Sequence, residues 1–134
     1  MEEKYNESTE QRPGGERLMD AKMVTINLPF FIDQIKHEST WKESDRNAIT
    51  VFKTNGLRIV LIALHEGAEM AKHTANGHIS VQVLEGKIQF KTEHQTAELN
   101  NGQMLALHEQ IPHSVFAIKE SVYLLTLTTT LAIK

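Results

Sequence analysis

The chain has 134 residues, 40% of them apolar and 23% charged, which is typical of a single globular domain. A net charge of −3 predicts no nucleic-acid partner, and the absence of cysteine excludes disulfides, thiolate nucleophiles and cysteine-ligated zinc. No run of about 18 apolar residues is present and the N-terminus is acidic and polar, so we expect a cytoplasmic protein that binds no membrane.

Residues 1–22 differ in composition from the rest of the chain. They are polar and contain the breaker Pro13-Gly14-Gly15. A segment with so little apolar surface cannot offset the entropy lost on ordering, so we predict a flexible N-terminal tail. The single domain is then expected to cover residues 23–134.

The next two stretches are expected to connect the tail to the first long strand. Residues 23–32 are mostly apolar, and we predict a strand followed by a short helical or irregular piece near Pro29. Residues 36–47 read as a polar loop. Within that loop, Trp41 is expected to act as an anchor.

From residue 48 onward, strand patterns follow one another. Asn55-Gly56 is a strong hairpin signal, and residues 57–64 form the nearly continuous apolar run of a strand buried on both faces. About eight short strands result, spaced roughly 8–12 residues apart, which is typical of an all-β sandwich or barrel. A barrel of eight strands encloses side chains or one small ligand.

The C-terminal stretch, residues 121–134, is long and apolar. A strand of this kind would promote aggregation if it lay at an exposed sheet edge. We therefore expect it to pair with residues 23–32, of the same chain or of a second subunit. This pairing is our reason to predict a homodimer.

Two histidines occupy comparable positions in two similar blocks. His73 lies six positions after Gly67, and His113 follows the turn glycine Gly102 and one further strand. A neutral imidazole is the commonest metal ligand in proteins and a proton carrier near neutral pH. A single histidine is more often an idle surface residue, but two in parallel positions indicate a site at the mouth of the barrel.

The two blocks resemble the two motifs of the cupin superfamily. The matching residues are Gly67, His73 and Gly86 in the first block, and Gly102, Pro112 and His113 in the second. The resemblance covers about residues 48–128. It implies a double-stranded β-helix, or jelly-roll, barrel, and many cupins form dimers.

The resemblance also implies a metal held by three histidines and one glutamate, and here the match is incomplete. His73 and His113 occupy two ligand positions, but the other two are Ala75 and Ile79. Two imidazoles are fewer than the three protein ligands usual for catalytic zinc. A third ligand for Zn, Fe, Mn or Ni would have to come from His78, His108 or Glu69.

Strand alternation predicts the wall around the two histidines. Ile79, Val81 and Val83 share one face of their strand. In the next histidine-bearing strand, His113 shares a face with Val115 and Ala117. An apolar wall favours a carbon-rich ligand over a hydrated ion. The predicted ligand-binding residues are His73, His113, Ile79, Val81, Val83, Val115 and Ala117.

Three functions remain open at this point. We favour a barrel that binds a small organic ligand with little or no metal. The second is a metal-dependent cupin enzyme, of dioxygenase or isomerase type, that uses His73, His113 and a substitute ligand. The third is a structural or interaction module. The sequence leaves the ligand unnamed and does not decide between catalysis and binding.

Overall fold

The computed structural model describes residues 4–6 and 17–128. Strands β1 (Lys4–Asn6) and β2 (Arg17–Asp20) form an antiparallel pair within the segment predicted to be a tail. Asp20 and the following Ala21 are buried. The flexibility predicted for residues 1–22 stays a prediction, because residues 1–3 and 7–16 lie outside the described part of the chain.

Two antiparallel sheets form the body of the molecule. Their strands are β3 Arg46–Thr54, β4 Leu57–Leu64, β5 Glu69–His73, β6 Ile79–Glu85, β7 Lys87–Thr92, β8 Thr96–Asn100, β9 Met104–Leu107, β10 His113–Ala117 and β11 Ser121–Thr128. One sheet has the strand order β3-β4-β11-β6-β9 and the other β5-β10-β7-β8. This confirms the predicted all-β, jelly-roll class.

The inward faces of the two sheets meet in a core that we call the barrel core. In β6, burial alternates along the strand, so that Ile79, Val81 and Val83 point inward. The same period of two directs Val115 and Ala117 of β10 into the barrel core. Alternation in the sequence thus determines which side chains the site can use.

Two helices cover the outer face of the larger sheet. They are α1 (Leu28–Ile35) and α2 (Ser39–Glu43), and their buried residues Ile35 and Trp41 pack with Leu61 and Ala63 of β4. This second cluster, the helical-layer core, explains why residues 61–64 are buried on both faces of their strand. Neither helix is long and apolar enough to cross a membrane, and the described residues contain no other that is.

The structure corrects the prediction for residues 23–47. No strand forms at residues 23–27, whereas the short helical piece expected near Pro29 is present as α1. This helix begins at Leu28, where the Asn27 side chain accepts a hydrogen bond from the backbone N–H of Phe30. Pro29 lies in the first turn of α1. A backbone N–H in this turn has no acceptor within the helix, so proline is tolerated there although it lacks an N–H. The predicted polar loop contains α2. Trp41 is buried as expected of an anchor.

The prediction for the C-terminal strand was wrong. Along its described length, β11 lies between β4 and β6 and pairs with both, so it is a central strand rather than an edge. Its apolar character reflects burial on two faces. Residues 129–134 lie outside the described chain. The homodimer stays a prediction, without the edge-pairing argument that suggested it.

Candidate functional site

His73 and His113 lie side by side on neighbouring strands. His73 is the last residue of β5 and His113 the first of β10, and the antiparallel register places them directly opposite each other. Their ring centres are 4.3 Å apart, with the planes at 63°. His73 is exposed, whereas His113 is buried. The structure therefore brings together the two histidines that the motif spacing singled out.

A small cavity lies beside this pair, between the two sheets. Its volume is about 30 Å³, enough for one water-sized group. Its lining residues are Ile62, Met70, His73, Val81, Phe90, His113, Val115, Tyr123 and Leu125. Val81 and Val115 were predicted as part of this wall. Ile79, Val83 and Ala117 are buried in the barrel core but do not line the cavity.

Each imidazole is held by the backbone carbonyl group two residues before it in the chain. Nδ1 of His73 lies 2.7 Å from the carbonyl oxygen of Ala71, and Nδ1 of His113 lies 2.9 Å from that of Ile111. A carbonyl oxygen can only accept, so each Nδ1 carries a proton and donates it. In the neutral rings, each Nε2 then has a lone pair for a ligand.

His113 is kept in its neutral form by its surroundings. Burial lowers the pKa of His113; the hydrogen bond to Ile111 opposes this shift, and nearby His73 adds to it. Phe90 stacks against the ring, with centres 5.1 Å apart and planes at 14°. Near neutral pH, His113 therefore presents an acceptor rather than a cation.

Tyr123 lines the same cavity and carries a hydroxyl group. Its Oη donates to the thioether sulfur of Met70 at 2.9 Å. Burial raises the pKa of Tyr123 above its usual value, an effect that Arg46 reduces, so the phenol keeps its proton. Tyr123 was not among the residues predicted to bind a ligand. The available signal was alternation, which places Tyr123 and Leu125 on one face of β11.

A wider and more polar cleft adjoins the site. Its volume is about 420 Å³, and it shares His113 with the inner cavity. It is lined by Glu69, Lys72, Lys91, Thr92, Glu93, Pro112, His113 and Ser114. The two cations and two carboxylates balance in charge, so the cleft has no strong preference for an anion.

Structural comparison places the chain among known folds, although no protein-family model and no curated protein matches it. A cupin superfamily protein from Desulfitobacterium hafniense has a TM-score of 0.63 and 14% identity, covering 66% of this chain and 81% of that one. The chain has the cupin fold.

Two further structures share the fold. A conserved protein of unknown function from Streptococcus pyogenes is 25% identical with a TM-score of 0.62, over 67% of this chain and 80% of that one. A salicylate 1,2-dioxygenase from Pseudaminobacter salicylatoxidans is 23% identical with a TM-score of 0.57, over 62% of this chain but 26% of that chain.

This cupin barrel does not fit the four-ligand metal centre that the motif resemblance implies. At the two remaining ligand positions, Ala75 packs against the barrel core and Ile79 is buried within it. Neither side chain has an atom that can bind a metal. Across the described residues, no three His, Cys, Asp or Glu side chains form a group that could hold a metal ion.

The substitute ligands considered from sequence lie elsewhere. His78 and His108 face each other, with ring centres 5.0 Å apart, and both are exposed beside the paired ends of β6 and β9. Glu69 is exposed and borders the outer cleft. None of the three lines the cavity beside His73 and His113.

Proposed function

We propose that this cupin-fold protein binds a small organic ligand at the mouth of its barrel, with little or no metal. The observation that supports this most directly is the His73–His113 pair above an apolar cavity. Apolar walls with a few convergent polar groups are typical of small-molecule sites. The cavity admits one group of the ligand, and the remainder lies at the mouth beside exposed His73.

The donor set supports ligand binding over metal chemistry. Two imidazoles are the nitrogen ligands that line the cavity, and Ala75 and Ile79 stand where further ligands would be needed. A catalytic zinc site usually has three protein ligands and an open position. With only two protein ligands, the affinity for a divalent ion is weak. A metal ion therefore competes less with an uncharged ligand for the site.

A thermal-shift screen of small acids, alcohols and apolar metabolites tests the proposal. A ligand that binds only the native state raises the melting temperature with increasing concentration. We expect at least one compound to give a rise of several degrees in the wild type and in His78→Ala, and a smaller rise in His73→Ala. If no compound binds, the interaction-module alternative is favoured instead.

The second candidate function is a metal-dependent enzyme. The feature in its favour is that both Nδ1 atoms are held by carbonyl oxygens, which leaves Nε2 of each ring available to an ion. One structure with this fold is a salicylate 1,2-dioxygenase. Elemental analysis of untagged protein separates the two functions. Stoichiometric metal that is lost in His73→Ala would contradict our proposal.

A further inference from the structure

The polar groups of the inner cavity have fixed hydrogen-bonding roles. His73 and His113 donate from Nδ1 to backbone carbonyl oxygens at 2.7 and 2.9 Å, so in the neutral rings their Nε2 atoms are acceptors. Tyr123 is a donor, and within the described chain its hydroxyl donates to the sulfur of Met70. A thioether is a weak acceptor, so a ligand oxygen that reached Tyr123 would compete well for this proton.

A hydroxyl group matches both roles at once. It donates one hydrogen bond, to Nε2 of a histidine, and its oxygen accepts another, from Tyr123. A carbonyl, carboxylate or ether oxygen cannot donate to Nε2, and an ammonium group cannot accept from Tyr123. The first three place an acceptor against the Nε2 acceptor, and the ammonium group leaves Tyr123 with only the weak acceptor Met70, so each of these alternatives binds less well than a hydroxyl.

The dimensions of the cavity agree with this assignment. A volume of about 30 Å³ holds one group of the size of a water molecule. Apolar side chains form the rest of the wall, including Val81, Phe90 and Val115. Beyond the three polar residues, the wall gives a charged group no counter-charge. The group that enters is therefore small, uncharged and able to donate a hydrogen bond.

We infer that the ligand is a neutral, hydroxyl-bearing small molecule. Its hydroxyl group enters the cavity, donates to Nε2 of His73 or His113 and accepts from Tyr123. The inference rests on the proposed function, because it names the chemical class of ligand for the same site. It makes His73 and Tyr123 residues that determine ligand specificity.

Three probes of similar size test the assignment. Phenol both donates and accepts, whereas anisole and benzaldehyde only accept. Titrations followed by protein NMR are expected to show phenol binding roughly 10-fold more tightly than either of the other two. Equal affinity for phenol and anisole would overturn the inference and leave the proposed function intact.

Substitutions at the site test whether its residues cause the preference for phenol over anisole. Tyr123→Phe keeps the buried ring and removes the donor, and it should weaken phenol binding about 3–10-fold with little effect on anisole. His73→Ala changes an exposed residue and should act in the same direction. His78→Ala is the matched control, since His78 does not line the cavity. A phenol preference unchanged in both site variants would contradict the inference.

One measurement needs no ligand. The ¹⁵N spectrum of labelled imidazoles distinguishes the tautomers, and we expect the Nδ1–H form for His73 and His113 at pH 7.5. An Nε2–H form in both rings would overturn the inference directly. If none of the three probes binds, the inference also fails, and the thermal-shift screen then decides whether the proposed function fails with it.

Discussion

At the scale of single residues, His113 links the site to the stability of the protein. Its folded-state pKa lies below the ordinary value of 6.5, because burial disfavours the charged ring. The unfolded chain then binds more protons in the window just below pH 6.5. Stability is fully present above that window and falls as the pH decreases through it, by at most about 1.4 kcal/mol per pH unit.

Urea unfolding at pH 7.5 and pH 5.5 measures this effect. The loss of stability at the lower pH should be smaller in His113→Gln than in the wild type, since glutamine does not titrate. His94→Gln serves as control, because His94 is exposed. The titratable groups that border His113 are His73 and, in the outer cleft, Glu69, Lys72, Lys91 and Glu93. An identical pH dependence in wild type and His113→Gln would contradict the prediction.

Two turn glycines form a second test at this scale. Gly86 and Gly102 both have positive φ, of 93° and 82°. A Cβ on Gly86 would collide with the backbone oxygen of Glu120 and with Ser121, whereas one on Gly102 meets open space. Gly102→Ala should cost about 1–2 kcal/mol for the left-handed backbone alone. Gly86→Ala should lower the free energy of unfolding clearly further, as chemical denaturation would show.

The site residues that could be predicted from the sequence were identified by their spacing along the chain. His73 and His113 stand out because each has a fixed separation from a turn glycine. Met70 and Tyr123 could not be assigned to the site in this way. Met70 lies in β5, which pairs with β10, and Tyr123 lies in β11 of the facing sheet. Their contact joins segments that are far apart in the chain, and such a contact leaves no local pattern in the sequence.

At the scale of elements, α1 contributes stability through its inner face. Ile35 is fully buried in the helical-layer core, and Phe30 of the same helix is 59% exposed. Ile35→Ala should therefore lower the free energy of unfolding by about 2–5 kcal/mol. Phe30→Ala should lower it by less, about 0.5–1.5 kcal/mol, because the main loss is the edge contact with Phe31. Urea titration of both variants measures the difference, and similar losses would contradict the assigned packing.

The strands were predicted better than the helices for a physical reason. A strand with one buried face has an alternating pattern that can be read locally, as in residues 79–84. Helices of eight and five residues, such as α1 and α2, are too short to be stable alone. They form because an apolar sheet face lies beneath them, and that face exists only in the folded molecule.

At the scale of the whole molecule, one sheet separates two cores. Its strands give side chains to the barrel core on one face and to the helical-layer core on the other. In β11, Tyr123 points into the barrel core and Val122 into the helical-layer core. The two cores should therefore unfold in one transition, with coincident fluorescence and circular-dichroism curves. Two separated transitions would show that the layers are independent.

The central position of β11 has a consequence for the order in which the chain folds. Without residues 121–128, the larger sheet is divided into a β3–β4 pair and a β6–β9 pair, with no strand between them. Both pairs precede β11 in the chain, and they become one sheet only when β11 pairs with β4 and β6. Closure of the cupin barrel thus depends on this long-range pairing, and the cavity beside His73 and His113 is complete only when β11 supplies Tyr123 and Leu125.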